Sequence, residues 1–213
     1  MKVDIRFLLY PRGKPIPADH AYLLFSALTK ACEPIHSMED IGILPIVGMQ
    51  TGDRKLLLTE SSFLTIRIAA TRIAEILPLA GKSISLAGTN LQIGVPSVHA
   101  LVSSPILKSR LVTIKGFMES EEFLHSVRVH LDKMGVAEDV EIALGKRRTL
   151  EIHGKSVVGY EVFLSNLSDN DSLLIQEEGL GGRRKLGCGL FFPCRSNLVR
   201  DAEAAGKEGD YVK

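Results

Sequence analysis

From Lys2 to Leu9 the chain alternates, with Val3, Ile5, Phe7 and Leu9 apolar and Lys2, Asp4 and Arg6 charged. A period of two sends successive side chains to opposite faces of a strand, so one face of this segment is built for burial. The prolines between Pro11 and Pro17 then break the strand, and from Ala18 the period changes to that of a helix. Asp19 is placed to cap it. Tyr22, Phe25 or Ser26, and Thr29 follow at helical spacing beside Leu23, Leu24, Ala27 and Leu28, until Pro34 forbids continuation. Residues 41–47 and 62–69 read as strands, 71–79 as a helix ended by Gly81, and 83–93 as β-structure. The order is strand, helix, strand, strand, helix, strand.

The second half repeats that order. Residues 99–117 are strand-rich, Ser120 opens a helix over 121–134 that Gly135 stops, and residues 140–152 and 156–164 flank His153-Gly154-Lys155 as a hairpin. A polar-capped helix over 169–177 and a last strand over 188–193 complete it. The expected fold class is therefore α+β, two ferredoxin-like βαββαβ units in tandem, the topology also used by the RNA-recognition module. The expected boundaries are 1–96, 97–194 and a polar tail, 195–213, too poor in bulky apolar residues to be ordered.

Charge sets limits on partners. The 26 basic and 25 acidic residues leave a formal net charge of +1, so a polyanion must be met by local clusters rather than by the field of the whole molecule. The three cysteines, Cys32, Cys188 and Cys194, form no CxxC, and the opening MKVDIRF lacks the apolar core of a secretion signal; a reduced, cytoplasmic protein is expected. Glu75 and Pro78 interrupt the longest apolar runs, so no membrane segment is expected. No two-Cys two-His spacing exists for zinc, and neither a metal nor another cofactor is expected.

Two basic, glycine-flanked segments stand out. In GLGGRRKLGCGL, Gly179 to Leu190, a Walker loop fails because Gly187 is followed by Cys188-Gly189 instead of Lys and Ser or Thr. A dinucleotide fingerprint fails because the segment leads into a strand and not a helix. Either it is a turn with spare glycines, or it is a helix-to-strand loop whose exposed amides and Arg183, Arg184 and Lys185 follow a phosphate backbone. The second segment, Gly145-Lys146-Arg147-Arg148, is either solvated surface or a phosphate track. Aromatic residues make up 6%, and the aromatic strand motif of the RNA-recognition module is absent.

The G-basic-G pattern just before the last strand of a second ferredoxin-like unit resembles the C-terminal glycine-rich loop of the RAMP superfamily. Within it, the segment is similar to that of the CRISPR-associated endoribonucleases that process repeat RNA. PADHAYLLFSAL, Pro17 to Leu28, with Ile35-His36 and GILPIVG, Gly42 to Gly48, looks like the first helix and following loop of that family, in its myxobacterial-type branch. The resemblance implies metal-independent cleavage of CRISPR precursor RNA within its repeat, leaving a 2',3'-cyclic phosphate. It also implies a catalytic histidine in the first helix or in the loop after it. Histidine suits proton transfer because its pKa lies near ~6.5. His36, past the helix, is the first choice; His20, in the first helical turn, is the second, with Tyr22 in support. The residues implied to grip RNA are Lys146, Arg147 and Arg148 of the hairpin and Gly181, Gly182, Arg183, Arg184, Lys185, Gly187 and Gly189 of the loop. That loop is expected to be a clamp rather than a catalytic centre. His125 and His130, five residues apart, do not share a helix face, and His99 and His153 are isolated. The implied partners are repeat RNA and other CRISPR effector-complex subunits; the alternative is a non-catalytic RAMP subunit that binds guide RNA.

Overall fold

The computed structural model describes residues 1–117, 119–152 and 154–195, so His153 and all of the expected tail except Arg195 lie outside the described residues. Contacts divide the chain into two compact units, Met1–Ala100 with Arg184–Gly187, and Leu101–Arg183 with the residues from Cys188. No described helix is long and apolar enough to cross a membrane.

The first unit begins with β1 (Lys2–Tyr10) and β2 (Pro15–Pro17), then α1 (Ala21–Ala31) and the single turn α2 (Pro34–Ser37). β3 (Gly42–Leu44), β4 (Met49–Thr51), β5 (Lys55–Leu57) and β6 (Phe63–Ala69) follow. After 3-10 turns at Ala70–Glu75 and Leu77–Leu79, β7 (Ser83–Leu86) and β8 (Thr89–Ala100) close the unit. Its main sheet runs β3-β6-β1-β8-β7, and β2, β5 and β4 form a small second sheet. The alternation of β1 does what it predicts: Val3, Ile5, Phe7 and Leu9 are buried in the core with Leu24 and Leu28 of α1 and Leu64, Ile66 and Ile68 of β6. On the opposite face Asp4 stands across from Arg67 and takes a bidentate pair, Nε to Oδ1 at 2.7 Å and Nη2 to Oδ2 at 3.0 Å.

The helix expected over 71–79 is instead the pair of 3-10 turns. Ala69, at the N-cap position, offers no side-chain acceptor, and Pro78 removes a donor, so neither end supports an α-helix. His20 rather than Asp19 holds the N-cap position of α1, without a side-chain capping bond. The connection after α1, expected as a loop, winds through α2 because Pro34 suits a first helical position.

The second unit comprises β9 (Leu107–Val112), α3 (Ser120–Met134), β10 (Glu141–Ile152), β11 (Lys155–Ser165), α4 (Asp169–Glu178) and the short β12 (Phe192–Pro193). α3 buries Phe123, Ser126, Val127 and Leu131, a stripe at helical spacing, and Gly135 at φ 76° ends it, its amide bonding back to Asp132. The hydroxyl of Ser168 caps α4 by accepting from the Asp171 amide at 3.1 Å. The sheet runs β10-β11-β9-β12, all antiparallel. In both units the framework strands are thus ordered second, third, first, fourth, and the α+β tandem ferredoxin-like reading holds. The strand-rich stretch 99–117 divides differently from expectation: His99 belongs to the end of β8, where it faces Asp4 of β1.

Candidate functional site

α1 ends at Ala31 and the chain turns through Cys32 into α2, which buries Ile35 and leaves His36 exposed. The His36 amide donates to Glu33 O at 3.0 Å. Its carbonyl accepts from the Lys185 ammonium at 2.7 Å, and that ammonium lies 5.9 Å from the centre of the Phe25 ring, within cation–π range. The glycine segment is what delivers Lys185. Residues Arg184–Leu186 form a 3-10 turn, and Gly187 follows at φ +77°, where a Cβ would stand 2.5 Å from Cδ of Pro45. A glycine is therefore required for the turn to lie on the chain leaving β3.

Tyr22 lies in the first turn of α1, one turn from Phe25, and lines a shallow groove of about 390 Å³ with Ser26, Lys30, Ser83 and Ser85. His20 has a different setting. It is buried, its Nδ1 is 2.9 Å from Pro17 O, and its Nε2 accepts from the Ile46 amide at 2.9 Å. With Nε2 an acceptor, Nδ1 carries the proton, and the ring is a neutral tautomer tying the approach to α1 to the chain after β3.

The rest of the glycine segment belongs to the second unit. The amide of Gly182 donates to Thr113 O at 3.2 Å, that of Gly189 to Leu111 O at 2.7 Å and that of Cys188 to Arg183 O at 3.3 Å; Gly181 at φ +70° passes close to the Thr113 carbonyl. The Gly187 amide, in the first unit, donates to Arg184 O at 3.0 Å. Of the amides expected to be exposed, those of Gly182, Gly187, Cys188 and Gly189 are thus taken up by internal carbonyls. Of the basic side chains of the segment, Arg183 is exposed and Arg184 and Lys185 are half-buried.

On β10, Lys146 and Arg147 are exposed and Arg148 is half-buried. Arg148 Nη2 is 3.7 Å from Glu161 Oε1, which also takes Lys108 Nζ at 2.6 Å. Glu161, Lys108 and Phe25 were not predicted to be functional residues; each is a lone residue in an ordinary strand or helix pattern, and only the pairing of elements gives it a neighbour. No group of three or more His, Cys, Asp or Glu side chains able to hold a metal occurs among the described residues.

Comparison with known proteins agrees with this architecture. The family model described as Cas6 Crispr matches residues 3–196. The chain is 41% identical over 187 residues to a protein of Myxococcus xanthus named CRISPR-associated endonuclease Cas6, covering 87% of this chain and 80% of that one. Among solved structures, one titled CRISPR associated protein Cas6 superposes with a TM-score of 0.67 at 12% identity, over 92% of this chain and 100% of the other. A Cas6-related protein from Pyrococcus furiosus gives 0.63 at 14% identity, over 92% and 99%. At such identities the solved structures attest the fold, whereas the family match and the Myxococcus relative attest descent, and the chain belongs to the Cas6 family.

Proposed function

We propose that this chain is a metal-independent, cytoplasmic endoribonuclease that cuts CRISPR precursor RNA within its repeat. The observation that carries the reading is the exposed imidazole of His36 on a residue whose carbonyl holds the Lys185 ammonium. The Myxococcus relative, a named CRISPR-associated endonuclease at 41% identity, supports it.

The reaction needs no group from outside the RNA as nucleophile. The 2'-oxygen bonds to the adjacent phosphorus, the bond from phosphorus to the 5'-oxygen breaks, and the products carry a 2',3'-cyclic phosphate and a 5'-hydroxyl. One proton leaves the 2'-hydroxyl and one reaches the departing 5'-oxygen. His36 serves one of these transfers, as general base or acid, a role worth roughly 10²- to 10⁴-fold. Tyr22, a turn from Phe25 on α1, is the candidate for the other. Lys185, expected only as part of the clamp, has its ammonium at the His36 carbonyl, and in this reading it also supplies positive charge where the phosphorane gathers negative charge. His20 holds the frame: both of its ring nitrogens bond to backbone, so it orients α1 rather than touching RNA. Arg183 and Arg184 of the loop and Lys146, Arg147 and Arg148 of β10 grip the phosphate backbone.

The test is cleavage of the cognate repeat in EDTA by the wild type and by His36→Ala. The expected result is full wild-type activity without free metal and cleavage at least about a hundredfold slower by the variant. Loss of activity on chelation, or a His36→Ala protein cutting at the wild-type rate, overturns the mechanism. A 2'-deoxy substitution should block cleavage at a single repeat position while binding persists; uncut all-ribose RNA, bound tightly, would instead identify a non-catalytic subunit.

A further inference from the structure

Glu161 is a buried carboxylate set among cations, and nothing in the cleavage chemistry uses it. Its side chain is 7% exposed, against 22% for Lys108 and 36% for Arg148. The pairing of β10 with β11 slips at this point: Leu144 faces Val162 and Arg147 faces Tyr160, so Gly145 and Lys146 together stand against Glu161 alone. Two residues against one make a bulge, which re-aims the strand and leaves an amide without its ladder partner. Glu161 takes over that amide. The Lys146 N–H donates to its Oε2 at 3.4 Å, while Oε1 accepts from Lys108 Nζ at 2.6 Å and stands 3.7 Å from Arg148 Nη2. Gly145 makes room: a Cβ there would sit 2.6 Å from Glu161 Oε2 and 3.0 Å from Cε2 of Phe163. Lys108 is also held from the other side, its ammonium 4.8 Å from the centre of the Phe163 ring.

This arrangement is a poor way to gain stability, since desolvating a carboxylate and two cations offsets most of their attraction. It is a good way to fix positions. Arg148 is only half satisfied by it: its Nε is buried without a hydrogen-bond acceptor among the described residues, and its Nη2 reaches Glu161 only at ion-pair distance. Nε is closed to solvent, but the side chain is 36% exposed, and through its remaining N–H donors the guanidinium can take a phosphate, two donors at once.

We infer that Glu161 is a positioning residue for RNA binding: by holding the β10 bulge, Lys108 and Arg148 in one arrangement, it presets a site for a phosphate of the RNA backbone. The inference rests on the reading of β10 as an RNA-binding strand and adds Lys108 to it. It also makes a prediction opposite in sign to simple charge counting. Glu161→Gln raises the local charge by one, which by itself would tighten binding to any RNA. If Glu161 positions the cations, the substitution weakens binding to the repeat, roughly three- to tenfold, and narrows the preference for repeat over scrambled RNA.

The experiment measures, on the full chain, Kd for the repeat and for a scrambled RNA of equal length across a salt series, with the single-turnover cleavage rate at saturation. For Glu161→Gln the loss should appear in Kd for the repeat and far less in the rate; a merely structural defect would lower the active fraction and leave Kd of the remainder unchanged. Gly145→Ala displaces the carboxylate without changing charge and should weaken binding in the same direction. If Glu161→Gln does not fold, Glu161→Asp, which draws the carboxylate back by one methylene, replaces it with the same expected sign. A Glu161→Gln protein that binds both RNAs more tightly, or a Gly145→Ala protein that binds as wild type, overturns the inference. Arg147→Ala reads the underlying assumption separately: its loss should weaken binding and reduce the salt slope by about 1. If Arg147→Ala binds as wild type, the RNA-binding reading of β10 falls and the inference with it; if Arg147→Ala weakens binding and Glu161→Gln does not, only the role of Glu161 falls.

Discussion

His20 and His36 stand before and after α1, and the structure treats them in opposite ways. His20 is buried, with Nδ1 at the Pro17 carbonyl and Nε2 at the Ile46 amide, so its ring is one fixed tautomer and moving a proton would break a bond that holds the chain. His36 is exposed, held through its backbone by Glu33 and Lys185. The difference teaches that a histidine near a helix start is no more a catalyst than any other buried polar group until its ring nitrogens are accounted for.

Substitutions can break that comparison. The largest effect expected is from His36→Ala, a fall of at least about a hundredfold in single-turnover cleavage of bound repeat, with a melting temperature close to wild type. Next comes Lys185→Ala, with a loss of roughly ten- to a hundredfold in the same rate. Arg183→Ala, by contrast, should act on Kd and its salt dependence, and rate measurements at saturating RNA separate the two. His20→Ala should cost about 1–3 kcal/mol in chemical denaturation, because the Ile46 amide and Pro17 carbonyl lose their partner. Protein that stays folded should still cut. A folded His20→Ala protein that is inactive, and stays inactive in His20→Gln, whose amide can still donate to Pro17 O and accept from the Ile46 amide, would place that ring in the proton transfer after all.

The smallest effect is one of acidity. Arg72 Nε donates to Glu75 at 2.7 Å and its Nη1 to Asp40 at 2.8 Å, tying the 3-10 turns to the segment between α2 and β3. The hydrogen bond from Arg72 holds the Glu75 carboxyl below its ordinary value. A depressed carboxyl stabilises the fold above the unfolded-state pKa and loses that contribution as pH falls through the folded-state value. Melting temperature should therefore drop on acidification below the usual carboxylate range, and less steeply in Arg72→Ala. Equal acid sensitivity in the two proteins would rule out this tie.

Much of the frame can be read from the sequence because periodicity and punctuation are local. β1 follows from alternation, α3 from its apolar stripe and Gly135, and α4 from Ser168 and its acidic first turn. Where one residue outweighs a pattern, the reading fails: the apolar run around Ile73 to Leu79 looks helical but lacks a cap and contains Pro78. The small sheet of β2, β5 and β4 could not be foreseen, since two of the three residues of β2 are prolines and its partner is forty residues downstream in register, Ile16 opposite Leu56. In the candidate site, residue types were legible and neighbours were not. The sequence marks the glycine segment as basic and flexible; that the amides of Gly182 and Gly189 are spent on the carbonyls of Thr113 and Leu111, and that Lys185 rests on His36, 149 positions away, depends on contacts between residues distant in the chain.

That separation has a consequence for timing. The first unit is not continuous in sequence, since Arg184–Gly187 belongs to it by contact. A ribosome adding about 5–20 residues per second finishes the histidine long before the lysine. Throughout that interval the nascent chain carries His36 without Lys185 beside it, and the first unit lacks one of its parts. Completion of the first unit is thereby deferred until residues 184–187 have been made, a delay written into the order of the chain's residues.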